Sequence, residues 1–566
     1  MRFIRLSVER LIGRPAALLL LALGVAAPAV AAGEPVDPSQ DTESQVVEGQ
    51  TAPRLQNLGD HSHPITTAAP RAQLFFDQGL RLSYGFNHPE AFRSFQEAAR
   101  LDPDCAMCYW GMALVLGPNI NAPMKPEDEA VALSTVQRAL SLRGKASPAE
   151  QAYIGALARR YLGNASQRDT GNKLYAEAMR EVARSQPDDL DAATLAAEAM
   201  MDLQPWSYWT RDGQPRGSTL EIIALLESVM ERDPNHPGAT HLYVHMMEAW
   251  RPDLAEAAAD RLLKLMPGAG HMVHMPSHIY MRVGRYADAS AANEAAIAAD
   301  EDYITQCRTQ GLYPVTYYPH NIHFLWSSAT MEGKSFVALG AARRTVSRVP
   351  EHQWGHLPSW AQIFAAAPLY AMTRFGRWEE ILAEPQPDRT QLYEMGIWLY
   401  ARGMALARTK KFEAAEQELA LLKSLAASPE AAEMSMGAQT AAKLLGLAAA
   451  VVEGELAAEQ GKFEPAIAAL HRAVLIEDSL TYIEPADWHY PVRQSLGAVL
   501  LKAGRAAEAE AVYWEDLRRN PENGWSLFGL MQALRAQKRD DEAAEIEQRF
   551  KRAWANADVE LTSSRF

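Results

Sequence analysis

The sequence is poor in cysteine, with three residues among 566. Cys105 and Cys108 form the motif CAMC, but Tyr109 follows it where covalent haem attachment requires histidine. No strand pattern surrounds the motif, which argues against a thioredoxin-like redox site. A disulfide between Cys105 and Cys108, or from either one to Cys307, stays open, while burial as small residues between packed helices is the favoured interpretation.

An excess of basic residues is also missing. The chain has 55 Lys and Arg against 70 Asp and Glu, a net charge of -15, and no basic stripe. Sequence-independent nucleic-acid binding needs a basic face that neutralises phosphates, so the composition argues against it. Beyond the N-terminus no stretch approaches the roughly 18 uncharged apolar residues of a membrane-spanning helix, and we expect none.

The first residues are typical of a secretory signal peptide. Residues 16–25 form an apolar run that is too short for a permanent membrane anchor, and the small residues 29–31 match the pattern that signal peptidase cleaves. Four arginines precede the run: Arg2, Arg5, Arg10 and Arg14. We therefore predict a signal peptide over residues 1–32 and an exported protein, periplasmic if the source is a Gram-negative bacterium.

Helical repeats begin near residue 72. In the segment FFDQGLRLSYGFNHPEAFRSFQEAARLDP, Gly79 lies where two helices would cross, and Pro103 ends the unit. The inward stripe of the second helix is Ala91, Phe95 and Ala98. The arrangement recurs near the C-terminus at Leu496, Gly497, Leu500, Ala509, Tyr513 and Pro521. These segments resemble the tetratricopeptide-repeat (TPR) family, in particular its exported bacterial members.

The resemblance implies an all-α superhelix of stacked helical hairpins that acts as a binding scaffold. From the repeat spacing we expect about eleven or twelve hairpins in a repeat domain over residues 72–566. Residues 33–71 are rich in Pro, Gln, Ser and Thr without apolar periodicity, and we predict a flexible lead-in. The spacing slips near residues 202–219 and 302–319, which predicts two insertions in the array.

Both insertions are rich in aromatic residues. The first contains Trp206, Tyr208 and Trp209, and the second contains Tyr313, Tyr317 and Tyr318. Insertions in such arrays tend to emerge on one face, often the binding face, so Trp206, Trp209 and Tyr318 are candidate ligand contacts. The alternative is that these aromatic side chains only fill hydrophobic space under long loops.

Almost half of the 15 histidines fall between residues 240 and 324, at helical spacing. They are His241, His245, His271, His274, His278, His320 and His323. Imidazole is the commonest metal ligand of proteins near neutral pH, and histidines three or four apart project from one face of a helix. The clustering therefore predicts a transition-metal site.

The histidines occupy equivalent positions in successive repeats. The seventh and eleventh residues after the proline that closes a unit are histidines in two units, first His241 and His245, then His274 and His278. Related slots in these and neighbouring units hold Glu198, Glu248, His271, Met281, His320 and His323. The TPR resemblance implies that such first-helix slots face the concave groove, where ligands bind.

Packing distances favour a shared metal ion in this groove. Packed helices run about 8–10 Å apart, so imidazoles of adjacent helices can converge on one ion at about 2.0–2.1 Å per bond. We expect His241, His245, His274 and His278 to approach one another closely around it. Zinc, copper and iron all suit imidazole, and the sequence does not choose among them. The alternative is a set of structural histidines without metal.

Sharper enzyme motifs are absent from the sequence. His241 and His245 lack the glutamate that a zinc protease places directly after the first histidine of its motif. Residues 333–335 resemble the end of a phosphate-binding loop, but Ser328 stands where the first glycine should be. No GxSxG nucleophile elbow occurs.

Three functional hypotheses follow from these observations. The first is an exported binding protein whose groove holds a metal and, beside it, a peptide or a small ligand. The second is a metal-dependent enzyme, a hydrolase or a copper or iron oxidase, in the same groove. The third is a metal-free scaffold for protein partners. Glu248, one helical turn after His245, is the candidate general base of the enzyme, and the alternative is that it orients a histidine.

Overall fold

The computed structural model describes residues 49–307, 313–348, 359–388 and 390–566. The predicted signal peptide and the start of the lead-in lie outside these residues. Within them the chain forms 26 α-helices and no β-strand. None of these helices is both long enough and apolar enough to cross a membrane.

The first half of the array contains α1 (Pro70–Tyr84), α2 (His88–Leu101), α3 (Ala106–Leu114), α4 (Asp128–Ser141), α5 (Pro148–Leu157), α6 (Arg168–Ser185), α7 (Leu190–Met201), α8 (Thr219–Arg232), α9 (Pro237–Met247), α10 (Pro252–Leu265), α11 (Gly270–His274), α12 (Pro276–Val283) and α13 (Tyr286–Cys307). The second half contains α14 (Tyr313–Glu332), α15 (Ser335–Arg348), α16 (Ile363–Arg374), α17 (Trp378–Ala383), α18 (Leu392–Arg408), α19 (Phe412–Ala426), α20 (Pro429–Glu433), α21 (Ala441–Glu459), α22 (Phe463–Asp478), α23 (Val492–Lys502), α24 (Ala506–Arg519), α25 (Gly524–Ala536) and α26 (Asp540–Ala553).

Consecutive helices pack as pairs, and each pair packs on the next. Across the described ranges the 26 helices give twelve hairpins, because α11 and α12 are halves of one broken helix and α20 is a short helix inside a connection. The break falls at Pro276, which has no amide hydrogen for a helical bond. The predicted all-α, TPR-like solenoid of eleven or twelve hairpins is confirmed.

Glycine lets the helices cross closely at the repeat positions. A Cβ at Gly79 would lie 2.7 Å from the ring of Phe95, and one at Gly111 in the next hairpin would lie 2.5 Å from the same ring. The C-terminal copy repeats the arrangement, since a Cβ at Gly497 would lie 2.4 Å from the ring of Tyr513. Any larger residue would separate these helices, which is why the repeat pattern is readable in the sequence.

The array also closes on itself at two places that the sequence did not predict. α1 packs against α9, where a Cβ at Gly238 would lie 2.5 Å from the ring of Tyr84. α25 packs against α14, and the indole of Trp525 donates a hydrogen bond to the backbone carbonyl of Thr330. One hydrophobic core extends from the lead-in to α13, and a second extends from α13 to α26.

The described part of the lead-in is packed against the repeats. Its buried apolar residues are Ala52, Leu55 and Leu58. Thr66 donates through both its amide and its hydroxyl to the carboxylate of Glu150. Residues 49–69 therefore differ from the expected flexible lead-in, because side chains of the repeats replace the hydrogen bonds that water would otherwise supply.

The two predicted insertions have different structures. Residues 202–218 form a non-helical loop before α8, as their glycines and prolines predicted. Residues 302–319 are mostly helical, because the end of α13 and the start of α14 extend into them, while residues 308–312 lie outside the described part. Pro319 lies inside α14, so the packing of this helix outweighs the backbone hydrogen bond that proline removes.

Cys105 and Cys108 form a disulfide. Both residues are buried at the start of α3, where Cys105 is the N-cap. The expected burial is confirmed, but the preference for a plain packing role over a disulfide is wrong. Residues three apart at the first turn of a helix lie on one face, which brings the two sulfur atoms together.

Candidate metal centre

Six of the seven histidines form two triads of converging ring nitrogens. The first triad is His241 and His245 of α9 with His271 of α11; the second triad is His274 of α11, His278 of α12 and His320 of α14. In each triad, one ring nitrogen of every histidine lies within 4.8 Å of the other two. The single four-histidine site expected from the repeat positions is replaced by two groups of three, because α11 and α14 each contribute a further imidazole.

In the first triad, imidazole nitrogens face one another at short range. Nε2 of His241 lies 3.2 Å from Nε2 of His271. Nδ1 of His241 donates to the backbone carbonyl of Tyr84 at 2.6 Å. Because a carbonyl only accepts, the proton sits on Nδ1 and Nε2 keeps a free lone pair. Nε2 of His245 is buried and has no hydrogen-bond partner.

The second triad is packed even more closely. Nε2 of His274 lies 2.9 Å from Nε2 of His278 and 3.2 Å from Nε2 of His320. Nδ1 of His274 lies 2.7 Å from the side-chain oxygen of Asn293, whose amide nitrogen donates to the carbonyl of Ala289. Asn293 therefore accepts from His274, and Nε2 of His274 has one lone pair for two close neighbours. A proton or another cation has to separate these nitrogens.

Glu248 joins the two triads from outside. Its Oε1 lies 3.1 Å from Nδ1 of His245, and its Oε2 lies 2.6 Å from Nδ1 of His278. A carboxylate at Nδ1 fixes the tautomer and points Nε2 inward, as it does behind many metal-ligating histidines. Because both oxygens lie on the Nδ1 side of the rings, the position of Glu248 fits an orienting role better than that of a general base.

Burial controls the charge of the triads. Burial, together with the neighbouring imidazoles, holds the pKa of His241, His271 and His274 well below the ordinary value for histidine. Burial also lowers the pKa of His320 to about 3. At His278 burial is outweighed by the Glu248 carboxylate, which raises the pKa. Neutral imidazoles with free lone pairs are the form that a metal ion requires.

Two buried carboxylates lie behind His278. Burial would raise the pKa of Glu248, but the neighbouring His278 and His245 lower it to about 2. Glu484, on the loop between α22 and α23, places Oε2 at 3.5 Å from Nδ1 of His278 and Oε1 at 3.8 Å from Nε of Arg282. Burial raises the pKa of Glu484 to about 7. Glu484 was not among the residues predicted from the sequence, although its segment TYIEPADWHYP is rich in aromatic residues and proline, like the insertions.

Aromatic rings surround the triads, and we call the enclosed space the histidine chamber. Four rings lie with centroids 4.6 to 5.4 Å from an imidazole: Phe86, Trp206, Tyr317 and Phe324. Five of the six imidazoles are buried and His320 is partly buried. The triads thus lie in a closed space and not in the open concave groove that the TPR resemblance implied, because Phe86 after α1 and Glu484 on the loop between α22 and α23 also pack against them.

Two openings lead toward the chamber. Trp206 is 47% exposed and stands edge-on to His245, so it covers the first triad from the solvent side. The indole of Trp209 donates to the carbonyl of Met246 and anchors this loop to α9. A narrow cleft reaches His271 from another side, between the lead-in and the ends of α1 and α13.

Three predicted site residues lie outside both triads. His323 packs against Trp326 with ring centroids 4.8 Å apart, and its Nε2 is buried without a partner. Tyr318 lies two residues before His320 in α14, and residues two apart on a helix do not face the same way. Its hydroxyl therefore donates to Glu301 and does not contact a triad. Met281 is a partly buried part of the hydrophobic core. Tyr317, and not Tyr318, is the tyrosine of α14 that contacts a triad.

Glu198 belongs to a different buried cluster. It lines a small cavity with Asp202, whose carboxylate pairs with Arg160 at 2.8 Å. Burial, followed by the charge of Asp202, raises the pKa of Glu198. Burial raises the pKa of Asp202 in spite of Arg160. The equivalent repeat position on α7 therefore does not join Glu198 to the histidines.

A further polar cluster, also missed in the sequence, centres on Asp191 of α7. Its carboxylate contacts His61 at 3.0 Å, His63 at 2.8 Å, His236 at 3.2 Å and the hydroxyl of Tyr84 at 2.5 Å. A carboxylate accepts about four hydrogen bonds, so these donors saturate Asp191. The cluster is a hydrogen-bonded junction of the lead-in, α1, α7 and the start of α9.

Comparisons with known proteins add little to these observations. No protein-family model matches the chain, and no curated protein matches it in sequence. Similar solved structures include the TPR domain of P58(IPK), with 11% identity and a TM-score of 0.22 over 83% of this chain and 99% of that one. The human IFIT1 dimer with m7Gppp-AAAA has 13% identity, a TM-score of 0.32 and coverage of 80% and 90%. The APC/C hetero-tetramer Cut9-Hcn1 has 14% identity, a TM-score of 0.28 and coverage of 85% and 90%. Likenesses this weak carry no conclusion on function.

Proposed function

We propose that the chain is a TPR-like scaffold protein that binds a transition metal in the histidine chamber. One observation carries the proposal: an oxygen atom lies within 3.1 Å of Nδ1 of four histidines, while one ring nitrogen of every histidine in a triad converges with the other two. The four are His241, His245, His274 and His278. Outer acceptors of this kind are what tune and orient metal-ligating histidines.

The short distances between nitrogens also suit a metal ion. Four ligands at about 2.0–2.1 Å around a tetrahedral ion stand about 3.3 Å apart. The Nε2 atoms of His274 and His320 stand 3.2 Å apart, and those of His241 and His271 stand 3.2 Å apart. Zinc, copper and iron remain the candidate metals, because all three accept imidazole.

Exported origin and a second ligand belong to the same proposal. The arginine-flanked apolar run over residues 16–25 supports export. A peptide or a small molecule would approach the metal beside His271, where the narrow cleft opens, or at the exposed edge of Trp206. The acidic composition supports neither nucleic-acid binding nor a membrane anchor.

A metal-dependent enzyme is the second candidate function. In the described ranges no fourth His, Cys, Asp or Glu joins either triad, so a metal held there would keep an open coordination position. Catalytic metal sites commonly use three protein ligands and leave one position to water or substrate. Turnover of peptide, ester or phenolic substrates by the metal-loaded chain would favour this candidate; metal without turnover of any of them would leave the binding function.

Metal content tests the proposed function. The full chain is purified without a histidine tag, and its metals are measured by mass spectrometry. We expect stoichiometric metal in the wild type and reduced metal in His320→Ala. His323→Ala is the matched control, because His323 is a buried histidine one turn along α14 that joins neither triad. A wild type that takes up none of the three metals, or equal loss in both variants, would overturn the proposal.

A further inference from the structure

The two triads are separate sets of ligands. His271 and His274 are the closest link between them along α11, and their ring centroids lie 6.2 Å apart. His245 and His278, which share Glu248, have ring centroids 6.5 Å apart. Within each triad the donor nitrogens lie within 4.8 Å of one another, and no group of three mutually close donor atoms in the described residues combines histidines of both triads. The chamber therefore offers two neighbouring three-nitrogen sites.

Imidazole carries no charge when it ligates a metal, and few negative charges surround the triads in the described residues. The carboxylates that contact the six imidazoles are Glu248 and Glu484, and the cation Arg282 approaches Glu484. Two divalent ions would bring four positive charges into this buried space, against at most two carboxylates. Uncompensated buried charge is costly, so the chamber suits two monovalent ions better.

The coordination number points the same way. Protein-bound zinc is almost always four-coordinate in closed sites, and each triad offers three ligands among the described residues. Imidazole is among the ligands that suit copper, and the monovalent copper ion accepts three-coordinate geometry. Three neutral imidazoles in a closed, aromatic-walled space fit that ion in both charge and coordination number.

We propose that each triad binds one copper(I) ion, so that the histidine chamber holds a pair of them. Glu248 orients one imidazole of each triad, His245 in the first and His278 in the second. This inference rests on the proposed metal-binding function and narrows it to an ion, an oxidation state and a stoichiometry of two.

Anaerobic titration of the full chain with copper(I), in competition with a chromophoric copper(I) chelator, tests the pair. We expect two equivalents in the wild type. The double variant His241→Ala/His271→Ala should keep one equivalent, His320→Ala should keep the other, and the matched control His323→Ala should keep both. Glu248→Gln should keep both equivalents, with affinity lowered about 10–100-fold, because both triads lose an orienting carboxylate.

X-ray absorption of the loaded wild type provides a readout that does not depend on how well a variant folds. Three nitrogen ligands per copper are expected; four or more, or a single equivalent that both sets of variants abolish, would overturn the pair. Stoichiometric zinc or iron without copper(I) uptake would overturn this inference and leave the proposed function standing. Absence of all three metals would overturn both.

Discussion

The backbone carbonyl of Tyr84 accepts a hydrogen bond from Nδ1 of His241, although 157 residues separate them in the sequence. Tyr84 ends α1 and His241 lies on α9, so this bond exists only because the array closes there. It sets the tautomer of His241 and turns Nε2 toward His271. The first triad therefore depends on a contact between the first and the fifth hairpin.

Gly238→Ala tests this closure. A Cβ at Gly238 would lie 2.5 Å from the ring of Tyr84, and overpacking of this kind destabilises by about 1–3 kcal/mol. We expect a lower melting temperature and weaker metal binding. Gly446→Ala is the control, since a Cβ there has open space and alanine favours a helix by up to about 1 kcal/mol. Equal effects of the two substitutions on thermal unfolding would contradict the role of the α1–α9 contact.

Trp206 is expected to control how fast a metal ion enters and leaves the first triad. Its ring stands 5.4 Å from that of His245, and its backbone has φ of 61°, a region that bulky residues rarely adopt. We expect Trp206→Ala to speed the removal of metal by an external chelator without changing the amount bound. Trp514→Ala, at another exposed tryptophan, is the control. Unchanged extraction rates, measured by stopped-flow absorbance, would show that metal leaves by another route.

The contact of His63 with Asp191 should make the packing of the lead-in against the repeats depend on pH. Burial opposes protonation of His63, but Asp191 outweighs it and raises the pKa. The stability that the His63–Asp191 contact gives the folded state is therefore complete below the ordinary histidine pKa of about 6.5. It disappears as pH rises through the higher pKa of His63 in the folded state. The difference in stability between wild type and His63→Ala should be largest at acidic pH and shrink above neutrality. A difference that grows with pH in chemical unfolding would contradict this assignment.

The buried carboxyl of Glu198 should also make the folded protein less stable as pH rises. Burial raises its pKa, so the folded state favours the neutral acid and loses stability as pH rises above the ordinary carboxyl value. Glu198→Gln replaces the carboxyl with a group that does not ionise, so its stability relative to wild type should rise from the ordinary carboxyl pKa of about 4.3 up to the folded pKa of about 8 and then stay constant. Glu181→Gln, in an exposed ion pair with Arg184, should show no such trend. Parallel pH profiles for Glu198→Gln and wild type would rule out a raised pKa.

The repeat pattern predicted the helical hairpins and most of the histidines that the structure brings together, because both depend on local spacing. Gly79 and Phe95 meet where two consecutive helices cross, and His274 and His278 lie on one helical face. The grouping into triads depends on how far the array curves, which no local spacing records. Backbone atoms such as the Tyr84 carbonyl leave no mark in a sequence at all.

Other parts of the site could not be predicted for the same physical reason. Glu484 reaches His278 across 206 residues, from a loop whose path depends on the second hydrophobic core. Glu198 shares a repeat slot with the histidines, yet α7 directs it toward Arg160 and Asp202. The same position in two repeats has the same neighbours only within its own repeat and the adjacent ones. A closed array places different distant parts of the chain against each repeat.

The spread of the chamber along the chain also has a consequence for the order of synthesis. Tyr84 is among the first of its residues to leave the ribosome, His320 completes the second triad much later, and Glu484 follows later still. A nascent or truncated chain that stops before residue 484 carries every histidine of the two triads but lacks one of the two carboxylates behind them. Under the proposed function, full metal affinity requires the chain to extend through Glu484, and fragments that end before it are expected to compete poorly for the same ions.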